Sequence, residues 1–558
     1  MQSSRRPNSD RQASALVLTL IVVAMLTLGA AAFFERMFAE HQAERAHGRQ
    51  LQANQLAESG VEYIKAAVTQ DPETILQSGG LYANPSLFQS ILVNDDPLAA
   101  FRGRFTVIAP DLTTEGYYGG IRYGLENESA RLNLNTILLA DGQGENSART
   151  LLMTLPGMTE SIADAILDWI DPDDDSRQLG AERDYYASLP HPYAPRNGSL
   201  GSIEELLLVR DVTPALLFGA DLNRNGMIDG NEENLTTIDN TDNSTGELNR
   251  GWAAYLTLDS AEANVRADGS PKIDVNMDKL EDLKKKLLEV FSEDEANFIV
   301  AYRQGGPYTG KDSGKDVSSV KVDAKQQGKV RLNTVLDLIG VKTSVAKPPG
   351  SSSSGGGGGG GGGASGGSGG GLGGTSGVGG ASGGAAGGGG TKSSTQVINA
   401  AFPNEPGAMQ TYLPKLMENL AVNASPSIPG RLNINQAPRA LLNGIPGLTP
   451  SQVDQIIANR DVTIGEQRPE QKYETWLLQD NVVDLAKMKS LMSLVTSGGS
   501  VYRAQVVGFF DEGGPADRVE VVVDATQSPP VVRRRWSLRQ YGAGYSPEDL
   551  GVPAEDLK

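Results

Sequence analysis

The run Ala13–Phe34, ASALVLTLIVVAMLTLGAAAFF, holds 22 residues and no charge. As a helix it measures about 33 Å, enough to cross a bilayer. Arg5, Arg6 and Arg11 stand before it, opposed only by Asp10, and the positive-inside rule then keeps the N-terminus in the cytoplasm. No second run of this kind follows, so everything after about residue 35 is expected on the far side of the membrane. This one segment decides that the chain is an anchored or exported protein, whatever the rest folds into.

The residues after the run read FERMFAEHQAERAHGRQLQANQLAESGVEYIKAAV, without Pro and rich in helix formers. A single helix of ~50 residues, running out of the membrane as a stem, is expected. Three kinds of processing suit such a start. Ordinary signal peptidase could cut after Ala30-Ala31-Ala32, leaving Phe33 as the first residue. The segment could remain uncut as a signal anchor. Or a short basic leader could be removed between Ala13 and Ser14, leaving the apolar run as the stem, in the manner of type IV pilins and pseudopilins. Repeating subunits of those filaments carry Glu at mature position five. Counted from Ser14, that position is Leu18. An isolated carboxylate is costly in lipid; a subunit without it offers no acceptor for the next subunit's amine and suits a terminal place.

Several chemistries are excluded. The chain has no Cys and three scattered His, His41, His47 and His191, so disulfides, thiolate sites and His-built centres are absent. No Ser-His-Asp set, P-loop or HExxH is found, and no enzyme activity is expected. The formal net charge is −19, so nucleic acid would have to bind against the field of the protein. The 67 Gly are concentrated: 25 fall in residues 351–390 without a triplet period. That block reads as a flexible linker, a tether inside the inserted part of the chain that is long enough to bridge roughly 35–40 Å.

The body contains a repeat. RLNLNT (131–136) precedes LMTLPGMTESIADAILDWID (152–171), and RLNINQ (431–436) precedes LLNGIPGLTPSQVDQIIANR (441–460). Each reads as strand end, helix, Pro-Gly hairpin, helix. Ile162, Ala163, Ile166 and Ile170 lie at helical spacing, as do Val453, Ile456 and Ile457. Weaker copies are expected to start at KIDVNMDKLEDL (272–283) and VRLNTVLDLIGV (330–341). Helix-hairpin-helix units can present hairpin amides to phosphate. Here DWIDPDDD (168–175) would repel it, so a packing or protein-contact role is expected and nucleic acid is not.

The segment 168–217 resembles the general secretion pathway protein K family, the large minor pseudopilin of type II secretion. The matching pieces are Asp168–Asp175, Gly180-Ala181-Glu182, Tyr185-Tyr186, Ser202–Leu206 and Val209–Pro214, with Asp211 where the family usually has Gly. The resemblance implies a pilin-like scaffold with an inserted helical domain and an acidic loop that can hold Ca²⁺. Carried over, the candidate ligands are Asp171, Asp173, Asp174, Asp175, Glu182 and Asp184. It also implies processing at Ala13 and Ser14 by a prepilin peptidase, methylation of the new N-terminus, and the inner membrane as the site of anchoring, with the bulk periplasmic. Other minor pseudopilins are the implied partners, and a place capping the pseudopilus and starting its assembly is the implied role.

A second calcium signal comes from the residues themselves. DLNRNGMIDGNE (221–232) places Asp221, Asn223, Asn225, Asp229 and Glu232 at positions 1, 3, 5, 9 and 12 of an EF-hand loop. Gly226 stands at the sharp turn, and Met227 would give its backbone carbonyl. NLTTIDNTDNSTGE after it is not helical, so the loop is EF-like rather than a full EF-hand. Its donors suit weak binding, with Kd about 10⁻⁴–10⁻³ M.

Three alternating strands close the chain: SVYRAQVVGFF (500–510), DRVEVVVDAT (517–526) and VVRRRWSLRQY (531–541). Residues 467–497 read as helical. The expected fold is α+β: leader 1–13, transmembrane and stem helix 14–70, first strands of a pilin-like antiparallel sheet 71–136, helical module 137–220, calcium loop and linker 221–250, second helical module 251–346, Gly/Ser-rich linker 347–396, third helical module 397–498, β-meander 499–545 and tail 546–558. The helical modules are expected to be helix-hairpin-helix, or SAM-like. The competing function is a secreted calcium-binding adhesin or surface protein, released by ordinary signal peptidase.

Overall fold

The computed structural model describes residues 9–144, 146–230, 232, 247–346, 395–463 and 468–552. Arg5 and Arg6 of the leader, nearly all of the linker 347–396, residues 233–246 and the end of the tail lie outside the described residues.

The stem is one helix of 61 residues, Ser9–Thr69. Among the described residues it is the one helix long and apolar enough to cross a membrane. Among the described residues nothing buries its apolar half, where Leu28 is 76% exposed, which is the surface a single-pass anchor offers to lipid. The helix changes character at Ala53. From there Ala53, Leu56, Ala57, Val61, Ile64 and Ala67 are buried, at the three-and-four spacing of one helix face. Burying Leu56, Val61 and Ile64 contributes about 1.5–3 kcal/mol each.

That face lies on an antiparallel seven-stranded sheet. Its path runs Ile91–Asn94, Gly103–Leu112, Val501–Phe510, Asp517–Asp524, Val531–Ser537; Tyr118–Tyr123 pairs beside Gly103–Leu112, and Glu126–Asn127 beside Val501–Phe510. The central pairing joins distant parts of the chain, with Gly508 opposite Phe105 and Val506 opposite Val107. Everything between Asn127 and Val501 is therefore inserted into the sheet's connectivity. Helix and sheet touch closely where side chains are missing. A Cβ at Gly60 would stand 2.5 Å from Val506 Cγ1, and one at Gly508 would stand 2.3 Å from the Ala53 carbonyl oxygen.

The basic run of the last strand is engaged inside the protein. Arg533 donates to Asp524 at 2.7 Å, Arg534 pairs with Asp259, and Arg535 pairs with Glu58 of the stem. The helix expected over 467–497 is broken into Pro469–Lys472, Trp476–Gln479 and Leu485–Leu491. Asn481 with positive φ and the Asp484 cap interrupt it, both being signals that end one helix and begin another.

Three segments share one closing device. The two-residue strands Leu132–Asn133, Ile273–Asp274 and Leu432–Asn433 pair in parallel with Leu256–Thr257, Leu420–Ala421 and Val495–Thr496. In each, the first Asx side chain accepts the backbone N–H two residues on: Asn135 to Asn133 at 3.0 Å, Asn276 to Asp274 at 2.8 Å and Asn435 to Asn433 at 2.9 Å. The following Asn then ties the module together. Asn135 accepts from Leu200 N at 2.7 Å. Asn276 accepts from Leu332 N at 2.9 Å and donates to the carbonyls of Leu332 and Val422, both at 2.9 Å. Asn435 accepts from Trp476 Nε1 at 3.1 Å and donates to the carbonyls of Gln471 and Ser497 at 3.2 Å. The expectation that VRLNTVLDLIGV opens a further copy therefore gives way: Leu332 closes the copy begun at Ile273, as Leu200 does for the one begun at Leu132.

Between these ends each module holds a pair of helices. Ser147–Leu152 and Glu160–Ile170 are joined through Gly157 at φ +70°, and Arg439–Asn443 and Pro450–Asn459 through Gly447 at φ +80°. Only Gly adopts that conformation freely. The second helix is capped by Thr159 or Thr449, and Ile162, Ala163, Ile166, Ile170, Val453, Ile456 and Ile457 are buried. The middle module uses Leu280–Leu287 and Glu293–Gly305, with a Ser292–Glu295 capping box in place of Pro-Gly.

The chain divides into two compact units, residues 1–272 with 425–558, and residues 273–424. Within the second unit, Lys342–Ala346 and Thr395–Ile398 form an antiparallel pair in which Ala346 faces Thr395. The Gly-rich block leaves and returns at one cross-strand pair. The two strands it connects form a hairpin within this unit.

Candidate cation-binding loops

Ala13, Ser14 and Leu18 lie in the stem helix, and Leu18 is exposed. The other predicted residues form two separate loops in the first unit.

The acidic loop follows the helix Glu160–Ile170. The C-terminus of a helix disfavours negative charge, yet Asp168 and Asp171 sit there and are buried. Arg177 offsets them. Its guanidinium donates to Asp168 Oδ1 at 2.8 Å and to Asp171 Oδ2, and its backbone N–H donates to Asp168 Oδ2 at 3.2 Å. Gly180 closes the other side, where a Cβ would fall 1.8 Å from Asp168 Oδ2. Glu182 is 5% exposed, and neither of its carboxylate oxygens has a hydrogen-bond partner, nor does Asp171 Oδ1. Burial, and then the charges of Asp168 and Asp171, push Glu182 up to about 7.

The family-derived set is thus brought together only in part. Asp171 and Glu182 converge, joined by Asp168 and Arg177, which were not among the candidates. Asp173, Asp174, Asp175 and Asp184 are exposed. Asp174 accepts from Asn197 at 3.0 Å, and Asp173 caps the Asp175 N–H at 2.9 Å. Asp168 lies four residues after Asp164 on the side of the helix opposite Ile162 and Ile166, and both aspartates are buried because the helix is enclosed all round.

The second loop coils about its own carboxylates. Asp221 accepts from Asn225 N at 3.1 Å and Gly226 N at 2.7 Å. Glu232, fully buried, accepts from Leu222 N at 2.9 Å and Asp229 N at 3.0 Å. Asp229 accepts from the side-chain amides of Asn223 at 2.6 Å and Asn225 at 3.2 Å. Gly226 makes the turn at φ +78°. Burial raises the pKa of Asp221 against the opposing backbone donors. Arg518 and Arg250 reach the loop from outside, donating to the carbonyls of Asn223 and Gly226.

Among the described residues no three Asp, Glu or His side chains are gathered so as to hold a metal ion as they stand. The two loops fit a hard cation for different reasons. In the acidic loop, both Glu182 oxygens and Asp171 Oδ1 are buried without a hydrogen-bond partner, and Arg177 serves Asp171 but not Glu182, a costly arrangement for Glu182. In the second loop, the all-oxygen donor set at positions 1, 3, 5, 7, 9 and 12 suits calcium, while its carboxylates are at present satisfied by N–H groups. The chemistry both allow is ion binding.

Comparison with known proteins bears on residues around the first loop. Residues 130–218 match the family model for type II secretion system protein K. Type II secretion system protein K of Pectobacterium carotovorum subsp. carotovorum is 28% identical over 201 residues, covering 36% of this chain and 57% of that protein. The chain thus spans little more than half the length of the curated relative it matches. A crystal structure of the GspK-GspI-GspJ complex from enterotoxigenic Escherichia coli aligns at 10% identity over 90% of this chain and 99% of that one, with a TM-score of 0.28. The matched domain, which holds Asp168, Asp171, Arg177 and Glu182, is similar to that of type II secretion system protein K.

Proposed function

We propose that this protein is a minor pseudopilin, which takes the tip of the pseudopilus and helps start its assembly in type II secretion. The observation that carries this is the family domain at 130–218 in a chain whose apolar N-terminal helix continues without a break into the head. Two features support a terminal place. Leu18 leaves no carboxylate for a following subunit's amine, and a head inserted between Asn127 and Val501 is too bulky for a repeating subunit. Other minor pseudopilins are the partners this reading requires, and the relative solved as a three-protein complex is one that assembles in that way. Calcium is the proposed ligand of both loops, bound by Asp168, Asp171 and Glu182 in one and by Asp221, Asn223, Asn225, Met227, Asp229 and Glu232 in the other. When bound it would supply positive charge to carboxylates that the fold buries.

The test is expression with a prepilin peptidase and the other minor pseudopilins. A mature N-terminus at Ser14 and co-purification with those proteins are expected. A mature N-terminus at Phe33 would overturn the reading in favour of a released surface protein.

A further inference from the structure

The Asp221–Glu232 loop is where several distant segments of the first unit meet. Four consecutive carbonyls on its outer side are each engaged by another element: Asn223 by Arg518, Arg224 by Gln505 at 2.7 Å, Asn225 by the Tyr545 hydroxyl at 2.9 Å, and Gly226 by Arg250. Arg518 and Gln505 belong to the central strands of the sheet, whereas Tyr545 lies in the segment 541–552 after the last strand.

That segment is a strap across the sheet. Tyr545, Leu550 and Val552 are buried with Ile108, Val507 and Phe509, and Met227 of the loop packs against the same cluster. Thr106 Oγ1 donates to Leu550 O and Tyr123 Oη to Asp549 O, both at 2.8 Å. At the loop end, Asn225 Nδ2 donates to Gly544 O at 2.7 Å. Asn225 therefore has two duties. Its Oδ1 is the position-5 oxygen of the loop, and its Nδ2 holds the strap.

We propose that a divalent cation in the 221–232 loop sets the docking of the C-terminal strap 541–552, with Asn225 as the coupling residue. At present Asn225 Oδ1 accepts from Met227 N at 2.7 Å, while Nδ2 donates to both Gly544 O and Asp229 Oδ2. A cation that takes Asn225 Oδ1 fixes the amide plane, and with it the Nδ2 donor that reaches Gly544 O. This rests on the calcium reading of the loop given above.

The experiment uses the full chain in detergent, with calcium binding followed by calorimetry and amide exchange in 541–552 followed by mass spectrometry, in calcium and in chelator. In the unaltered protein, calcium should slow strap exchange at least tenfold. Asp221→Ala should abolish both the loop's binding heat and the slowing. Asn225→Asp keeps an oxygen at position 5 and loses the amide donor, so it should bind calcium without slowing the strap. Binding that disappears in Asp221→Ala but never alters the strap, or an Asn225→Asp protein whose strap is still slowed, would overturn the coupling and leave the calcium reading intact. Absence of any Asp221-dependent heat would overturn both.

Discussion

Ala346 and Thr395 face each other across one antiparallel pair, although the whole Gly-rich block separates them in the chain. Excision of 347–394, with a four-residue turn in its place, should therefore leave the unit 273–424 folded. Closing a loop about twelve times shorter costs less entropy, and the gain is about 2 kcal/mol of stability. Denaturant unfolding of the excised protein should show an equal or higher midpoint with an unchanged slope. A lower midpoint would mean that the block makes contacts the fold needs.

The close seat of the stem on the sheet gives a second expectation. Gly508 has the Ala53 carbonyl oxygen, the Ala57 nitrogen and Leu56 Cβ within 3 Å of where a Cβ would be. Two of these are backbone atoms of the helix and cannot rotate away. Gly508→Ala should cost about 1–3 kcal/mol, seen as a lower melting temperature. Gly407→Ala is the control, since nothing lies within 4 Å of its Cβ position and it sits in the helix Pro406–Asn419; it should be neutral or stabilise by up to about 1 kcal/mol.

Those two positions also mark what could be read from residue order. The buried face from Ala53 to Ala67 follows the helical period, and the strands at 501–510 and 517–524 follow alternation and β-branched content, so both were legible. That the two ends of the Gly-rich block meet at one hairpin pair was not legible. Its flanks, KTSVA and TQVI, are short alternating runs whose pairing depends on the rest of the unit. The module closures were harder still, because each parallel contact is two residues long and its partners are distant in the chain. The same limit applied to the acidic loop. The motif offered six carboxylates alike, Asp171, Asp173, Asp174, Asp175, Glu182 and Asp184, and folding, not charge density, brings Asp171 and Glu182 together. Asp168 and Arg177 enter only through the turn that follows the helix.

The threefold use of one Asn predicts parallel mutational effects. Asn276→Ala leaves the Leu332 N–H and the Leu332 and Val422 carbonyls without their partner, and Asn435→Ala leaves the Gln471 and Ser497 carbonyls and the Trp476 indole. Unsatisfied buried groups cost about 1–3 kcal/mol each. Both substitutions should lower stability by a few kcal/mol. Asn→Asp should be no better at either place, because a carboxylate cannot donate to the two carbonyls. Tolerance of Asp at 276 or 435 in a melting experiment would show that the module ends are held by something else.

Glu182 supplies a prediction whose sign depends on the ion. Its carboxylate is buried, unpartnered, and close enough to Asp168 and Asp171 to feel their charge, while Arg177 already serves those two aspartates. Without a cation, Glu182→Gln removes an uncompensated buried charge, so in chelator the variant should melt at or above the temperature of the unaltered protein. With calcium bound, the same substitution removes a ligand, so in calcium the variant should melt lower. The difference between the two conditions should amount to about 1–3 kcal/mol, the scale of a buried group gaining or losing its partner. Asp221→Ala tests the other loop by the same measurement and should remove a separate part of the calcium-induced rise, since the two sites share no residue. Curves for Glu182→Gln that keep the same order in calcium and in chelator would assign the acidic cluster to Arg177 alone and leave the 221–232 loop as the remaining calcium candidate.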